Sequence, residues 1–428
     1  MYKINPIEQL EGNLVMPGDK SISHRLVILA SLAEGDSWGE NFLISDDSLR
    51  TIEAFRQLGI DIEEEGKNIR IKGKGLRGLK APREPLYMGG SGTSARLILG
   101  VLAGQKFKAT LTGDNSLSKR PMKRVTAPLR EMGAKIEGPQ EADFLPLSIE
   151  GNDLKPIEYR MPVASAQVKS AILLAGLYAE GKTKVIEPFI SRDHTERLLK
   201  LFGAKLEKDG LVNIISGWPE LKGIKFFIPG DISSASNFIA LATLVKKAHL
   251  LISSVGLNPT RTGILDVLKR MGAKIEVKVR EESSTAEPYG DIEIRNASLR
   301  GVKVTKEEIP RLIDELPLLM VLACFAEGVT VIEGTEELRV KETDRINSMV
   351  TNLRKMGAKI EVVEDTIVVE GGYPLKPAQV SSFGDHRTAM SMVVMGSVLK
   401  GDTVLDDTDC IKKSFPDFFD FLFQVVKR

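Results

Sequence analysis

Apolar residues gather in six runs along the chain, and each run is introduced by a short turn rich in Gly, Ser or Asp. The six segments are PGDKSISHRLVILASLAEG from Pro17, GGSGTSARLILGVLAG from Gly89, VASAQVKSAILLAGLYAEG from Val163, PGDISSASNFIALATLVKKA from Pro229, IDELPLLMVLACFAEG from Ile313 and FGDHRTAMSMVVMGSVLKG from Phe383. Each reads as helix-starting residues, about three apolar turns and then, in most copies, a Gly stop. The turns recur roughly every 70 to 80 residues. A second signature follows the first: helix-like runs end in QLGIDIE at Gly59, EMGAKIE at Gly133, LFGAKLE at Gly203, RMGAKIE at Gly272 and KMGAKIE at Gly357. There the Gly closes a helix at C′, and the alternating apolar residues beyond it begin a strand. The repeat therefore reads strand, helix, strand, helix, strand, strand, and near-identical GAKIE copies far apart indicate duplication.

With 428 residues and 42% apolar content, the α/β chain suits two domains of about 200 residues, three repeats in each. The longest apolar runs, LPLLMVLACFA from Leu316 and FIALATLV from Phe238, are shorter than the ~20 residues of a membrane span. The opening MYKINPIEQLEGN has neither a secretory apolar core nor an Arg/Ser-rich import pattern, so a cytoplasmic location is expected. Two cysteines, Cys324 and Cys410, make no disulfide framework, and four scattered histidines suggest no metal. A formal net charge of +1 argues against a nucleic-acid binder. Anion recognition, if present, must be local.

The cations are indeed concentrated at the turns. Lys20 and Arg25 flank the first helix start, Arg96 the second, Lys169 the third, and His386 with Arg387 the sixth; between them stand Arg120, Arg192, Arg339, Lys341, Arg345 and Lys413. Helix N-termini offer unpaired N–H groups and a positive dipole end, so such turns suit phosphate and carboxylate. Lys169 opposes the dipole of its helix and needs an anion to answer it. The plainer alternatives are Ser and Asp caps with solvated Lys and Arg, and for LRVKETDR a solvated charged face. GGSGTSAR also matches a G-x-G-x-x-A dinucleotide fingerprint, but it is one copy of a six-fold turn and follows only the short EPLYM. Asp314 and Glu342 are the acid–base candidates, since a carboxylate among cations is poised as a base or a proton relay. No Ser–His–Asp pattern and no activated Cys is present, so a noncovalent mechanism is expected.

In order, GDKSISHR, SGTSAR, KRPM, SAQVKS, RDHTER, GDISSAS, NPTRTG, LRVKETDR, GDHRTAM and KKSFPDFF span essentially the whole chain. Together they closely resemble the 5-enolpyruvylshikimate-3-phosphate synthase family of the shikimate pathway. The resemblance implies an inside-out α/β barrel: two domains of three βαβαββ units, one formed by residues 1–17 and 230–428, the other by 18–229, with the active site in the cleft between them. It implies enolpyruvyl transfer from phosphoenolpyruvate to shikimate 3-phosphate by a cytoplasmic monomer without cofactor or metal. By the same resemblance Lys20, Ser21, Arg25, Ser165, Gln167, Arg192, Asp314 and Lys341 hold shikimate 3-phosphate. Lys20, Gly92, Thr93, Arg120, Gln167, Arg345, His386, Arg387 and Lys413 hold phosphoenolpyruvate. Glu342 with Lys20 delivers a proton to the methylene carbon, and Asp314, with Lys20 as its competitor, is the base for the 5-hydroxyl. The two ligands carry about −6 between them, so closure of the domains is expected to depend on them.

Two departures from the best-known branch stand out. Glu337 occupies an Asn position, and Ser165-Ala166-Gln167 replaces Ser-Ser-Gln. SAQVK, RDHTE and NPTR are instead similar to the branch often less sensitive to glyphosate, in which Lys169 and Arg192 are substitute contacts, although Gly92 lacks that branch's Ala methyl. The sibling transferase that uses UDP-N-acetylglucosamine would show a Lys-Asn pair at Lys20-Ser21 and usually a Cys in the SLSKRPM loop, and neither is here. A non-catalytic anion-binding repeat protein would not need Asp314 and Glu342 beside the cations.

Overall fold

The computed structural model describes residues 1–280 and 286–427. They form two compact units, one of Gly18–Ile228 and one of Met1–Pro17 with Pro229–Arg428. Within the first unit the repeat is clearest in its second copy. Strand Leu86–Tyr87 leads through helix Gly92–Leu102 to strand Lys108–Thr112, and helix Lys123–Met132 leads to strands Lys135–Glu137 and Leu147–Glu150. In space the strands lie in the order first, second, fourth, third. The first pair is parallel, as a helical crossover requires, and the others are antiparallel. The third copy, with strands Glu158–Arg160, Lys182–Ile186, Leu206–Asp209 and Val212–Ser216, repeats this order.

The first copy has no strand of its own ahead of helix Lys20–Leu32. Lys225–Phe227, at the far end of the unit, takes that place parallel to Glu34–Glu40. The second unit completes its sheets with the N-terminal residues. Gln9–Val15 runs parallel to Lys247–Gly256, and Tyr2–Ile4 pairs antiparallel with Thr403–Leu405. That last sheet holds only these two strands and Gln379–Val380, so Tyr2–Ile4 occupies the fourth-strand position of the sixth copy.

Two kinds of helix result. Lys20–Leu32, Gly92–Leu102 and Ala166–Gly176 form the middle of one unit, and Ile232–Leu244, Leu316–Phe325 and His386–Val398 form the middle of the other, packed on one another. They are buried almost all round; His386–Val398 is buried at every position but Val398. The second helix of each of the first five repeats is amphipathic, with one face in the core and a charged face outside.

The five glycines of the second signature all adopt left-handed φ, between 89° and 116°. In each case the Gly N–H bonds three residues back and the next residue's N–H bonds five back, as in Ala273 to Leu268 at 2.9 Å, which is the Schellman closure. The Gly stop expected after the first helices is corrected. Lys20–Leu32 and Leu316–Phe325 pass straight into extended caps at Ala33 and Ala326, and Gly35 and Gly328 bend the chain only afterwards.

Gly272→Ala tests this closure. An added methyl would meet Ser298 O at 3.4 Å, an ordinary contact, so only the φ of 97° resists it. We expect a loss of about 1–2 kcal/mol, read as a lower thermal midpoint, with turnover intact.

Candidate active site

In the Gly18–Ile228 unit the polar helix starts carry the predicted cations. Asp19 caps helix Lys20–Leu32 through the Ile22 N–H, Ser91 caps Gly92–Leu102 and Ser165 caps Ala166–Gly176. Lys20, half-buried, places Nζ 2.8 Å from Asp47 Oδ2 at the start of helix Asp46–Gln57. Gln167 donates to Thr93 Oγ1 at 2.9 Å and accepts from Arg96 Nη1 at 2.7 Å. A methyl on Gly92 would lie 2.8 Å from Arg96 Nη1 and 3.1 Å from Arg120 Nη1. Gly92, Thr93, Arg96, Arg120 and Gln167 are therefore one cluster.

Arg25 is buried and points the other way: Nε donates to Thr195 Oγ1 at 2.6 Å and Nη2 to Ser170 Oγ at 3.0 Å. Ser21 lies one helical turn before it, its carbonyl accepting from Arg25 Nη1 at 2.9 Å. His24, between Lys20 and Arg25, has its pKa pushed down to about 3 by burial, with the two cations adding. Its Nδ1 meets Thr51 Oγ1 at 2.7 Å, which fixes the ring as structure rather than as a proton carrier.

Lys169 meets its anions inside the unit: its side chain is 0% exposed, with Nζ 2.8 Å from Glu187 and 2.6 Å from Glu196. The two carboxylates keep its pKa raised despite burial. The anion that answers Lys169 is thus internal. Arg192 is half-buried on the turn just before helix His194–Leu201.

In the second unit one guanidinium organises the acids. Arg345, the first residue of helix Arg345–Lys355, is 1% exposed. Its Nη1 lies 3.2 Å from Asp314, its Nη2 2.6 Å from Glu342 and its Nε 3.0 Å from Asp385. Three carboxylates push its pKa further up against the cost of burial. Asp385 also caps helix His386–Val398, accepting from the N–H groups of Arg387 and Thr388 at 2.8 and 3.0 Å. Asp385 thus serves the helix start with one oxygen and Arg345 with the other.

Lys341 is half-buried in extended backbone after the short turn Glu336–Val340. Burial lowers its pKa, opposed by Asp314, while Arg345 lowers it further. His386 and Arg387 are buried at the helix start, and Arg387 Nε has no hydrogen-bond partner among the described residues. Lys413 lies on the turn Asp409–Lys413, which packs on the same helix. Burial pushes both cysteine thiols up to about 12, which leaves them unreactive.

Several partners of the candidate residues escaped the sequence reading: Asp47 beside Lys20, Ser170 and Thr195 around Arg25, and Glu187 and Glu196 around Lys169. Asp47 carried a signal, since it opens a helix immediately after a site turn. Nothing in the spacing pairs Lys169 with acids 18 and 27 residues away.

Two units of three βαβαββ repeats, each built round three buried central helices, define the inside-out α/β barrel of the enolpyruvyl transferases. The enolpyruvyl transferase NikO from Streptomyces tendae has this fold, with a TM-score of 0.81 over 99% of this chain and 96% of that one at 19% identity. The family pattern described as EPSP synthase (3-phosphoshikimate 1-carboxyvinyltransferase) matches residues 4–422, and the chain belongs to that family. An EPSP synthase structure from Acinetobacter baumannii has a TM-score of 0.88 at 42% identity, covering 99% and 98% of the two chains. Proteins named 3-phosphoshikimate 1-carboxyvinyltransferase from Desulforamulus reducens and Bacillus subtilis are each 49% identical, the first over 99% of both chains and the second over 100% of both.

Arg345→Met leaves three acids facing a neutral side chain. We expect a loss of about 3–5 kcal/mol at neutral pH. The Arg345 charge persists at every accessible pH. In the variant the stranded carboxylates bind protons more readily folded than unfolded, so its deficit shrinks as pH falls from neutral into the acid range. Denaturation series of both proteins across that range check the sign.

Proposed function

We propose that this chain transfers the enolpyruvyl group of phosphoenolpyruvate to the 5-hydroxyl of shikimate 3-phosphate and releases inorganic phosphate. One observation carries the reading: Asp314 and Glu342, from different turns, converge on the single buried Arg345 with Lys341 beside them. A solvated charge run would not bury its arginine against three acids. Ser21, Arg25, Ser165, Gln167, Arg192 and Lys341 hold shikimate 3-phosphate, with Asp314 at its 5-hydroxyl. Gly92, Thr93, Arg120, Arg345, His386, Arg387 and Lys413 receive phosphoenolpyruvate, with Lys20 and Gln167 shared between the ligands. Each of the two sets takes residues from both units.

In the addition step Asp314 accepts the hydroxyl proton and the oxygen bonds to C2 of the enol. The C2–C3 π electrons take a proton at the methylene carbon from Glu342, relayed with Lys20. This yields a noncovalent tetrahedral intermediate. In the elimination step the same groups remove a methyl proton, the double bond returns and the C2–O bond to phosphate breaks. No covalent bond to the enzyme forms. The enzyme works as a cytoplasmic monomer; among the described residues no helix is long and apolar enough to cross a membrane.

Phosphate release from shikimate 3-phosphate plus phosphoenolpyruvate, run beside UDP-N-acetylglucosamine plus phosphoenolpyruvate, tests the reaction. Release with the shikimate ester alone is expected, and release with the nucleotide sugar alone would overturn it. Lys20→Ala should lower kcat by about 10²–10⁴-fold. Lys341→Ala should chiefly raise the KM for shikimate 3-phosphate, by about tenfold or more. Because burial has lowered the Lys341 pKa, a bound phosphate will raise it again. Binding on the alkaline side is therefore expected to take up protons, measured by calorimetry in buffers of different ionisation enthalpy, and Lys341→Ala should abolish that uptake.

A further inference from the structure

Three fully buried charges in the third repeat have no part in the chemistry just described. Lys169 is on the first turn of helix Ala166–Gly176. The Lys169, Glu187 and Glu196 side chains are 0%, 1% and 3% exposed. Such a cluster rarely stabilises more than apolar side chains of similar volume would, because each charge gives up its hydration. Its placement suggests what else it does.

The cluster grips the residue just before Arg192. Lys169 Nζ donates to the Ser191 carbonyl at 3.4 Å, while Glu187 Oε2 accepts from the Ser191 N–H at 3.0 Å and from its hydroxyl. Glu187 is itself steadied by Asn213 Nδ2 at 3.2 Å on Oε1. Three residues after Arg192, Thr195 Oγ1 meets Ser170 Oγ at 2.6 Å and accepts from Arg25 Nε at 2.6 Å. Neighbouring residues of one helix, Lys169 and Ser170, thus clamp the chain on both sides of Arg192, and the second clamp also holds Arg25.

We infer that Lys169, Glu187 and Glu196 are positioning residues that set the Arg192 turn, in register with Arg25, to receive the phosphate-bearing substrate. The inference rests on the reading of Arg192 as a shikimate 3-phosphate contact. It assigns the cluster a role in affinity for one substrate, with no contact to either.

Glu187→Gln is the informative change. It keeps the side-chain volume, but an amide has one acceptor oxygen and cannot accept from both Lys169 and Ser191. Dissociation constants for shikimate 3-phosphate would be measured by calorimetry for wild type, Arg192→Ala, Glu187→Gln and the double variant, with kcat and the KM for phosphoenolpyruvate alongside. We expect Arg192→Ala to weaken binding by about 10- to 100-fold and Glu187→Gln by about tenfold. The double variant should be no weaker than Arg192→Ala alone, and in Glu187→Gln kcat and the KM for phosphoenolpyruvate should stay within about twofold. If Arg192→Ala weakens binding but Glu187→Gln does not, or if the two losses add, the inference is overturned and the Arg192 reading stands. Equal losses for both substrates would also overturn it. If Arg192→Ala binds as wild type does, the Arg192 reading fails and takes the inference with it. Should Glu187→Gln not fold, the neutral triple Lys169→Met, Glu187→Gln, Glu196→Gln reads the same coupling without leaving a lone buried charge.

Discussion

A helix buried on every side can present only its ends. Each unit is built round three such helices, and the near-complete burial of His386–Val398 is the extreme case. The flanks are spent on packing, so chemistry falls to the first turn and the residues just before it. This is why Asp19, Ser91, Ser165, Asp231 and Asp385 cap their helices with side chains while the adjoining positions carry Lys20, Gly92, Gln167 and Arg387. The unpaired N–H groups and the positive dipole end of a helix start suit an anion. Short Gly/Ser/Asp turns are what that geometry demands of the chain.

Charge is handled differently in the two units. Around Arg345 one cation holds three acids, whereas around Lys169 one cation holds two acids that touch no predicted ligand position. Asp314 and Glu342 remain partly exposed, each 19% at the side chain, while Asp385 is sealed. The guanidinium thereby gives two reachable carboxylates fixed positions and a charged partner, and its third bond ties them to a helix cap. Arginine suits this task, because its planar fork offers donors in three directions and stays charged throughout.

Much of this was legible from local pattern. Gly59, Gly133, Gly203, Gly272 and Gly357 mark helix ends because the Schellman closure needs a left-handed residue there, and nothing distant competes with that need. The six turns were legible for the same reason. What stayed hidden depends on contacts between distant segments. Lys169 looked like a ligand contact by position, but acids brought in from the neighbouring strand end and helix enclose it. The short Tyr2–Ile4 and Lys225–Phe227 carry too few residues for a periodic signal, yet each completes a sheet begun far away in the chain.

That completion at a distance bears on how the chain is made. Tyr2 pairs with Leu405, and Gln9 with Lys247. As the polypeptide leaves the ribosome, Gln9–Val15 has no parallel partner until Lys247–Gly256 has followed, and Tyr2–Ile4 waits for Thr403–Leu405. The Gly18–Ile228 unit draws all its strands from its own span and is free to fold during translation. Through that interval the early strands are unpaired edges, with backbone groups open to any neighbour. The sequence guards them with Lys3, Glu8 and Glu11 beside the apolar residues, a local defence suited to a strand that must stay soluble before it can stay put.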